Sequence, residues 1–183
     1  MLELNFSPFP EIKTNRLLLR KMTNDDAPQL LFLRSDDRVM QYIGREKTKT
    51  VEEAAAFIEK INASVDSNEA ILWAIALAED PGNMIGTICF WNIQTDHYRA
   101  EVGYILHPDH WSKGLMKEAV QAVIDFGFNQ MKLHSVEGHI NPQNVVSGVV
   151  LERCGFTREA YFRENFYWKG QFHDSAVYSL LAP

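Results

Sequence analysis

Residues 100–128 of the chain read AEVGYILHPDHWSKGLMKEAVQAVIDFGF, and most of the fold prediction starts from this stretch. An apolar run over residues 100–106 ends before Pro108, and a polar segment containing Gly114 follows it. Apolar side chains then recur at the spacing of one helix face, at positions 115, 116, 119, 120, 123, 124 and 127. The stretch therefore predicts a strand, a turn and then a helix over residues 115–128.

The flanking sequence divides into similar short elements. The predicted elements are, in order, a strand over 16–22, a helix beginning near 27, a helix over 50–65, strands over 71–78, 84–93 and 100–106, the helix over 115–128, a strand over 135–140, a helix over 143–153, and strands over 156–168 and 172–181. A strand–helix–strand step between antiparallel pairs implies a mixed sheet. We therefore expect one domain over residues 1–183, of the α+β class, with a mixed, mostly antiparallel seven-stranded sheet and four helices.

The charge and hydropathy of the chain exclude several classes of function. Eighteen basic and twenty-four acidic residues leave a net charge of -6, the wrong sign for a protein that mainly neutralises a phosphate backbone but suited to a cationic substrate. Apolar runs such as residues 70–78 are shorter than the ~20 residues of a membrane span. The first residues lack the basic and apolar regions of a secretory signal. We expect a cytoplasmic protein that binds neither nucleic acid nor membrane.

Cysteine and histidine usage gives no sign of a disulfide or a metal site. The two cysteines, Cys89 and Cys154, lie in apolar surroundings and are interpreted as small buried hydrophobes. None of the six histidines has the spacing or the cysteine companions of a metal framework. We therefore expect no bound metal.

The segment Trp111-Ser-Lys-Gly-Leu-Met-Lys lies between a strand end and the strongest predicted helix. The N-terminus of a helix presents unpaired backbone N–H groups and a partial positive charge, and Gly114 lets a ligand approach the backbone closely. Lys113 and Lys117 add positive charge. The segment fits a phosphate or pyrophosphate site, although an ordinary glycine-containing helix entry with solvated lysines explains it as well.

Other motifs surround this segment in a fixed order. They are Thr14-Asn-Arg-Leu-Leu-Leu-Arg, Glu101-Val-Gly-Tyr-Ile-Leu-His-Pro, Asn141-Pro-Gln-Asn-Val-Val-Ser, Leu151-Glu-Arg-Cys-Gly-Phe and Tyr178-Ser-Leu-Leu. With them the chain resembles, over nearly its whole length, the GCN5-related N-acetyltransferase (GNAT) superfamily, and within it the RimJ/RimL-type enzymes that acetylate protein N-termini. The resemblance implies that acetyl-CoA binds between two splayed central strands, residues 100–106 and 135–140.

The same resemblance assigns cofactor contacts residue by residue. It implies backbone pairing with the pantetheine arm along the central strand, a pyrophosphate cradle at the helix entry, and a hydrogen bond from one asparagine. These residues are Tyr104, Ile105, Leu106 and His107, then Ser112, Lys113, Gly114, Leu115, Met116 and Lys117, and finally Asn144. Core packing of the strand side chains and a helix N-cap at Asn144 remain open. The chain departs from the superfamily at Trp111, where Arg or Gln is usual, and at Met116, where Gly or Ala is usual.

Acetyl transfer to an amine requires a base for the nitrogen and a proton or hydrogen bond for the departing thiolate. The tyrosine that many superfamily members use for the thiolate is replaced here by Leu151, and Ser147 takes the RimL-type role, with helix packing as its alternative. The resemblance supports Glu101 as the base, although a structural partnership remains open. RimL-type enzymes place a glutamate where this chain has Phe166, and Glu164 lies two residues earlier, on the same face of a regular strand.

The function implied by the resemblance is acetyl transfer from acetyl-CoA to a primary amine by direct attack. A protein N-terminal α-amine is the first candidate acceptor. A small amine, such as an amino acid, a polyamine or an aminoglycoside-like compound, is the alternative. A non-catalytic acyl-CoA sensor and a purely structural partner protein remain open as well, and so does a homodimeric assembly.

Overall fold

The structure is a computed structural model that describes residues 1–183, and one mixed sheet forms its centre. The strands are β1 (Ile12–Lys13), β2 (Leu17–Arg20), β3 (Ile71–Leu77), β4 (Asp80–Gln94), β5 (Arg99–Leu106), β6 (Ser135–Ile140), β7 (Thr157–Trp168) and β8 (Gln171–Leu181). The helices are α1 (Ala27–Leu33), α2 (Asp37–Met40), α3 (Val51–Asp66), α4 (Leu115–Asn129) and α5 (Val145–Arg153).

The strand order across the sheet is β1-β2-β3-β4-β5-β6-β8-β7, and only the β5–β6 pair is parallel. The predicted mixed, mostly antiparallel α+β fold is therefore confirmed. The predicted counts of seven strands and four helices are wrong, because the structure has eight strands and five helices. The additional elements, β1 with two residues and α2 with four, are too short to show a period in the sequence.

The turn between β3 and β4 differs from the prediction. Asp80 to Asn83 has turn composition, yet β4 already begins at Asp80, which pairs with Leu77, so the chain reverses at residues 78–79. The register shifts there, and Ala76 already pairs with Met84, so residues 81–83 form a bulge. Arg20 Nε donates to the carbonyl of Pro81 at 2.7 Å, which satisfies backbone that the ladder leaves unpaired.

Two hydrophobic clusters cover the two faces of the sheet. The larger packs α4 and α5 against the sheet and includes Phe90, Val102 and Leu106 of β4 and β5. The smaller packs α1 and α3 against the other face, where Ile105 joins it. Since neighbouring residues of a strand face opposite sides, the side chains of β5 alternate between these two faces.

The entry into α1 is fixed by a buried ion pair. Asp26 is 1% exposed, and Arg20 donates to both of its carboxylate oxygens, at 2.8 and 2.7 Å. The backbone N–H of Thr23 donates to the same carboxylate at 2.9 Å. The pair ties α1 to β2, which places α1 on the sheet face of Ile105.

No helix combines the length and the apolar character that crossing a membrane requires; the longest, α3, has 16 residues.

Candidate active site

The sheet opens between its two central strands. β5 and β6 pair only from Arg99–Ser135 to Glu101–Glu137, and beyond these residues β5 pairs with β4 alone. The edge of β5 that faces β6 is therefore without a partner strand from residue 102 onwards, which confirms the predicted splay. An extended ligand can bond to such an edge as an added strand does.

The loop after β5 leads into α4 through two residues with left-handed backbone. Gly114 has φ 74° and is the N-cap of α4, and Ser112 has φ 60°. No side chain caps the helix, and no backbone N–H from Ser112 to Lys117 donates a hydrogen bond to another protein group. Six consecutive amides at the positive end of a 15-residue helix thus form a site suited to a pyrophosphate.

The side chains of this loop divide into buried and exposed groups. Leu115 and Met116 are 5% and 8% exposed and belong to the core, so only their backbone amides can reach a ligand. The side chains of Ser112, Lys113 and Lys117 lie on the surface. Met116, which stands where Gly or Ala is usual in the superfamily, therefore packs into the core and leaves the amide cradle intact.

A clamp of three residues, Thr14 and Arg16 before β2 and Glu118 on α4, holds this loop. Arg16 Nη1 donates to the carbonyl of Lys113 at 2.9 Å, and its Nε donates to Glu118 at 2.7 Å. Glu118 also accepts from the Thr14 hydroxyl at 2.6 Å and from the backbone N–H of Arg16 at 2.9 Å. Nothing in the local sequence points to this clamp, because 102 residues separate Arg16 from Glu118.

The end of β5 is bonded to the loop that follows it. Trp111 Nε1 donates to the carbonyl of Leu106 at 2.8 Å, and the backbone N–H of His107 donates to Ile85 at 2.8 Å. The His107 ring stacks on Phe32 with centroids 4.4 Å apart, and its Nδ1 accepts from the Asp109 amide at 3.2 Å. Of the predicted pantetheine contacts, Leu106 and His107 therefore have several backbone groups already occupied within the protein.

Tyr104 links β5 to the N-terminus of α5. Its hydroxyl donates to the carbonyl of Ser147 at 3.2 Å, and burial raises its pKa above the usual value. Asn144 caps α5, because its Oδ1 accepts from the Ser147 N–H at 3.2 Å, so the N-cap alternative holds and only its Nδ2 remains for a ligand. The Ser147 hydroxyl has no protein partner and is free to donate.

Glu101 lies where the two central strands separate, on the sheet face opposite α5. It is 8% exposed, and burial raises the pKa of its carboxyl above the usual value. Its pairing partner Glu137 is bonded to Arg99 at 2.9 Å and to His139 at 3.2 Å, whereas Glu101 has no ion-pair partner. A buried carboxylate that is part of no ion pair keeps its proton to a higher pH than a free glutamate, which suits a general base.

Glu164 occupies a position that the period-of-two argument did not predict. The register between β7 and β8 shifts between Phe162 and Phe166, and Glu164 has φ 51°, so the regular strand that the period-of-two argument assumed is interrupted here. The backbone N–H of Glu164 donates to Asp174 at 2.8 Å, and the residue is exposed. A bulge in this hairpin therefore lies between Glu164 and Phe166, and Glu164 as the alternative base stays a prediction.

Phe166 itself contacts the loop between α2 and α3. A Cβ built on Gly44 falls 2.2 Å from Phe166 Cε1, so a larger residue at this position would require the Phe166 ring to move. The contact brings residues 41–49 against the β7–β8 hairpin. Nothing in the sequence predicts this contact, because the two segments are remote in the chain and neither carries a motif.

Both cysteines are free thiols, as expected. Burial raises the pKa of Cys89 to about 12 and that of Cys154 to about 11, so both stay protonated at neutral pH. The Cys89 thiol donates to the carbonyl of Gly103 at 3.4 Å. A protonated thiol is a poor nucleophile, which disfavours a covalent acyl-enzyme on either residue.

Comparison with known proteins identifies the family. The model of the acetyltransferase (GNAT) domain matches residues 16–157. The chain is 33% identical over 175 residues to the uncharacterized N-acetyltransferase YoaA of Bacillus subtilis (strain 168), covering 96% of this chain and 98% of that relative. The crystal structure of a GNAT-family acetyltransferase from Bacillus anthracis matches with a TM-score of 0.82 at 31% identity, covering 94% of this chain and 98% of that chain.

Two further relatives carry names that state an acceptor. The spermidine N(1)-acetyltransferase of Vibrio cholerae serotype O1 is 25% identical over 160 residues, covering 87% of this chain and 90% of the relative. The [ribosomal protein uS5]-alanine N-acetyltransferase of Escherichia coli (strain K12) is 30% identical over 105 residues, covering 57% of this chain and 54% of the relative. Since the family model spans most of the chain, and the splayed strands and amide cradle fit the donor, the protein belongs to the GNAT family and is an acetyl-CoA-dependent N-acetyltransferase.

Proposed function

We propose that the protein acetylates a protein N-terminal α-amine, by direct attack of the amine on acetyl-CoA in a ternary complex. The observation that carries this proposal is the layout of β5. Glu101 near its start is a buried carboxylate without an ion-pair partner, and beyond its end lie the six free amides of residues 112–117. One strand thus joins a candidate base to a donor cradle across the opening of the sheet.

The donor is held mainly by backbone groups. The amides from Ser112 to Lys117 bind the pyrophosphate, and the dipole of α4 favours its negative charge. The unpaired edge of β5 from residue 102 to Tyr104 bonds to the pantetheine arm. The clamp from Arg16 keeps the loop in the conformation that presents these amides together.

The acceptor and the leaving group lie on different sides of the sheet opening. Glu101 takes a proton from the ammonium group of the acceptor through water, which leaves a neutral nitrogen with a free electron pair. A C–N bond forms to the acetyl carbonyl carbon as the C–S bond breaks; the nitrogen then loses its excess proton, and the departing thiolate takes up a proton and leaves as the CoA thiol. The Ser147 hydroxyl, which has no protein partner, donates a hydrogen bond to the sulfur as negative charge develops there.

The choice of acceptor rests on the resemblance to RimJ/RimL-type enzymes and on the relative that acts on a ribosomal-protein alanine. A small-molecule amine is the second candidate, and the relative named for spermidine supports it over a longer stretch of the chain. The raised pKa values of both cysteines support direct attack over a covalent acyl-enzyme.

A thiol-release assay tests the proposal. The protein is incubated with acetyl-CoA and a panel of acceptors: short peptides with free N-termini, amino acids, spermidine and an aminoglycoside, with N-acetylated peptides as the matched control. We expect free CoA with the unblocked peptides, none with the blocked ones, and a mass gain of one acetyl group on the terminal nitrogen. Turnover of small amines alone refutes the protein N-terminus as acceptor, and binding of acetyl-CoA without thiol release for any amine refutes the catalytic proposal.

A further inference from the structure

An exposed tryptophan lies beside the candidate base, on the sheet face that carries Glu101 and forms the acceptor side. Trp91 of β4 pairs directly with Glu101 of β5. Paired residues of neighbouring strands project from the same face, with Cβ atoms about 4.5–5.5 Å apart. The preceding residue, Phe90, is fully buried in the cluster on the opposite face, whereas Trp91 is 43% exposed and belongs to neither cluster. The indole is therefore a large aromatic group that adjoins the carboxylate and is not part of the core.

The indole extends along β5 from Glu101 towards Gly103. A Cβ built on Gly103 would lie 3.6 Å from Trp91 Nε1 and 3.8 Å from its Cδ1, so the ring edge lies close to this glycine. Gly103 follows Glu101 by two residues and is therefore on the same face. It also belongs to the edge of β5 that has no partner strand from residue 102 onwards. The indole thus spans the distance from the candidate base to the strand edge assigned to the pantetheine arm.

No protein group occupies the Trp91 ring. The indole N–H groups of Trp73 and Trp111 each donate to a backbone carbonyl, whereas that of Trp91 has no acceptor. The cation–π contacts within the protein are made by the rings of Phe57 and Trp168, so no protein cation covers Trp91. The face of a tryptophan ring attracts cations more strongly than that of any other side chain. This face is available to a cation from outside the protein.

The ion pairs around Glu101 leave its carboxylate available to the same cation. Its neighbour Glu137 on β6 is bonded to Arg99 at 2.9 Å and to His139 at 3.2 Å. Glu101 is part of no ion pair and is 8% exposed, so solvent weakens its attraction for a cation less than it would at the surface. An aromatic face and a carboxylate, neither with a protein cation, therefore adjoin each other.

We propose that Trp91 forms a wall of the acceptor pocket and binds the acceptor as an ammonium ion, by a cation–π contact, before Glu101 takes its proton. The proposal rests on the proposed acetyl transfer and adds the residue that recognises the charge of the acceptor. The ammonium contacts the ring while one of its N–H groups donates to Glu101. The acetylated product is a neutral amide, so it loses the attraction to the ring and is bound less tightly than the substrate.

The first test measures the acceptor KM at saturating acetyl-CoA, with a short peptide and with spermidine as acceptors. Trp91→Leu keeps an apolar side chain and removes the ring, so it should raise the acceptor KM about fivefold. The kcat and the KM for acetyl-CoA should change less than twofold. Trp91→Phe keeps an aromatic face and should stay within twofold of the wild type. Trp168→Leu is the matched control, because Trp168 lies at the turn of the β7–β8 hairpin, and it should leave the acceptor KM unchanged.

A second test separates the electrostatics of the ring from its bulk. Fluorine withdraws electron density from the indole face, so a protein produced with fluorinated tryptophan keeps the ring and attracts a cation less strongly. The acceptor KM of the wild-type protein should rise from mono- to di- to trifluorinated tryptophan. In Trp91→Phe, fluorination of the three remaining tryptophans should leave the acceptor KM constant.

An acceptor KM within twofold of the wild type in folded Trp91→Leu, or an equal rise in KM for acetyl-CoA, overturns the wall while leaving acetyl transfer established. An acceptor KM that ignores fluorination, or that responds equally in Trp91→Phe, overturns the cation–π contact. If Trp91→Leu does not fold, the fluorinated proteins decide alone. Absence of thiol release with every acceptor overturns the proposed function itself, and this inference with it.

Discussion

The clamp on the pyrophosphate loop predicts that one arginine outside the cradle controls affinity for the donor. Replacing Arg16 by alanine removes its hydrogen bond to the carbonyl of Lys113 and two contacts of 2.7 Å with Glu118. The loop residue that follows, Gly114, has φ 74°, which is one of several conformations open to glycine, so these contacts help to select it. We expect the loop of Arg16→Ala to sample conformations in which the six amides no longer converge.

The size of the effect follows from the number of bonds and their exposure. A hydrogen bond from a charged donor contributes about 1.5–3 kcal/mol when buried. The Arg16 side chain is 44% exposed and that of Glu118 is 19% exposed, so solvent screening places the loss at the lower end. A loss of ~1.4 kcal/mol raises the Kd or KM for acetyl-CoA about tenfold. The kcat at saturating donor should change less than twofold, because the clamp does not touch the reacting atoms.

The assay compares two acetyl donors with each variant. Acetyl-CoA contains the pyrophosphate, whereas acetyl-pantetheine ends before it, so KM should rise for the first donor and stay constant for the second. Arg16→Lys tests whether the loop needs the guanidinium geometry or only a positive charge. The lysine variant should behave like the alanine variant if the guanidinium positions the loop, and like the wild type if positive charge is enough. An unchanged KM for acetyl-CoA in a folded Arg16→Ala protein, or an equal rise for both donors, refutes the positioning role.

Four further predictions concern the cradle, the leaving group, the base and the fold. Gly114→Val should raise KM for acetyl-CoA about tenfold, because its left-handed φ of 74° costs a β-branched residue roughly 1–2 kcal/mol; steady-state kinetics with varied donor check this. Ser147→Ala should lower kcat by ~10- to 1000-fold with nearly unchanged acetyl-CoA binding, since its bond forms only as the thiolate leaves; wild-type turnover would make it a packing residue. In a pH profile of kcat/KM, activity should rise as Glu101 loses its proton, in a limb above the ~4.3 of a free glutamate, because burial raises its pKa. Glu101→Gln should remove that limb and Glu164→Gln should not; the reverse result would assign the base to Glu164. Asp26→Ala should lower the free energy of unfolding in urea by about 3 kcal/mol, because it leaves a partly buried arginine unpaired.

The fold was predictable where elements were long enough to show a period. The helix over residues 115–128 and the helix over residues 50–65 match α4 and α3 to within one residue at each end, because an apolar face repeats over three or more turns. The two-residue β1 and the four-residue α2 have no period to detect. The start of β4 was missed for another reason, since Asp80 to Asn83 has turn composition and the structure accommodates it as a bulge bonded to Arg20.

The helix entry to which we assign the donor was predictable for a related reason. Recognition by backbone amides needs a glycine, a helix entry and a preceding strand, and these are contiguous in residues 100–117. The clamp from Arg16 was not predictable, because Glu118 is its neighbour only after β2 and α4 have packed side by side. The same holds for Phe166 and Gly44, whose contact depends on the hairpin and the loop meeting across the acceptor side.

The acceptor side is the part of the site that sequence motifs predict least in this family. The residues considered for it come from separate segments, with Glu101 on β5 and with Glu164 and Phe166 on the β7–β8 hairpin. None of them belongs to the amide cradle of residues 112–117, so we expect a change there to alter the acceptor without disturbing the cradle. Relatives named for a polyamine and for a protein N-terminus can therefore share this sheet and this loop. We therefore expect the acceptor preference to follow the side chains around Glu101 and not the net charge of -6, which counts residues on every surface of the molecule.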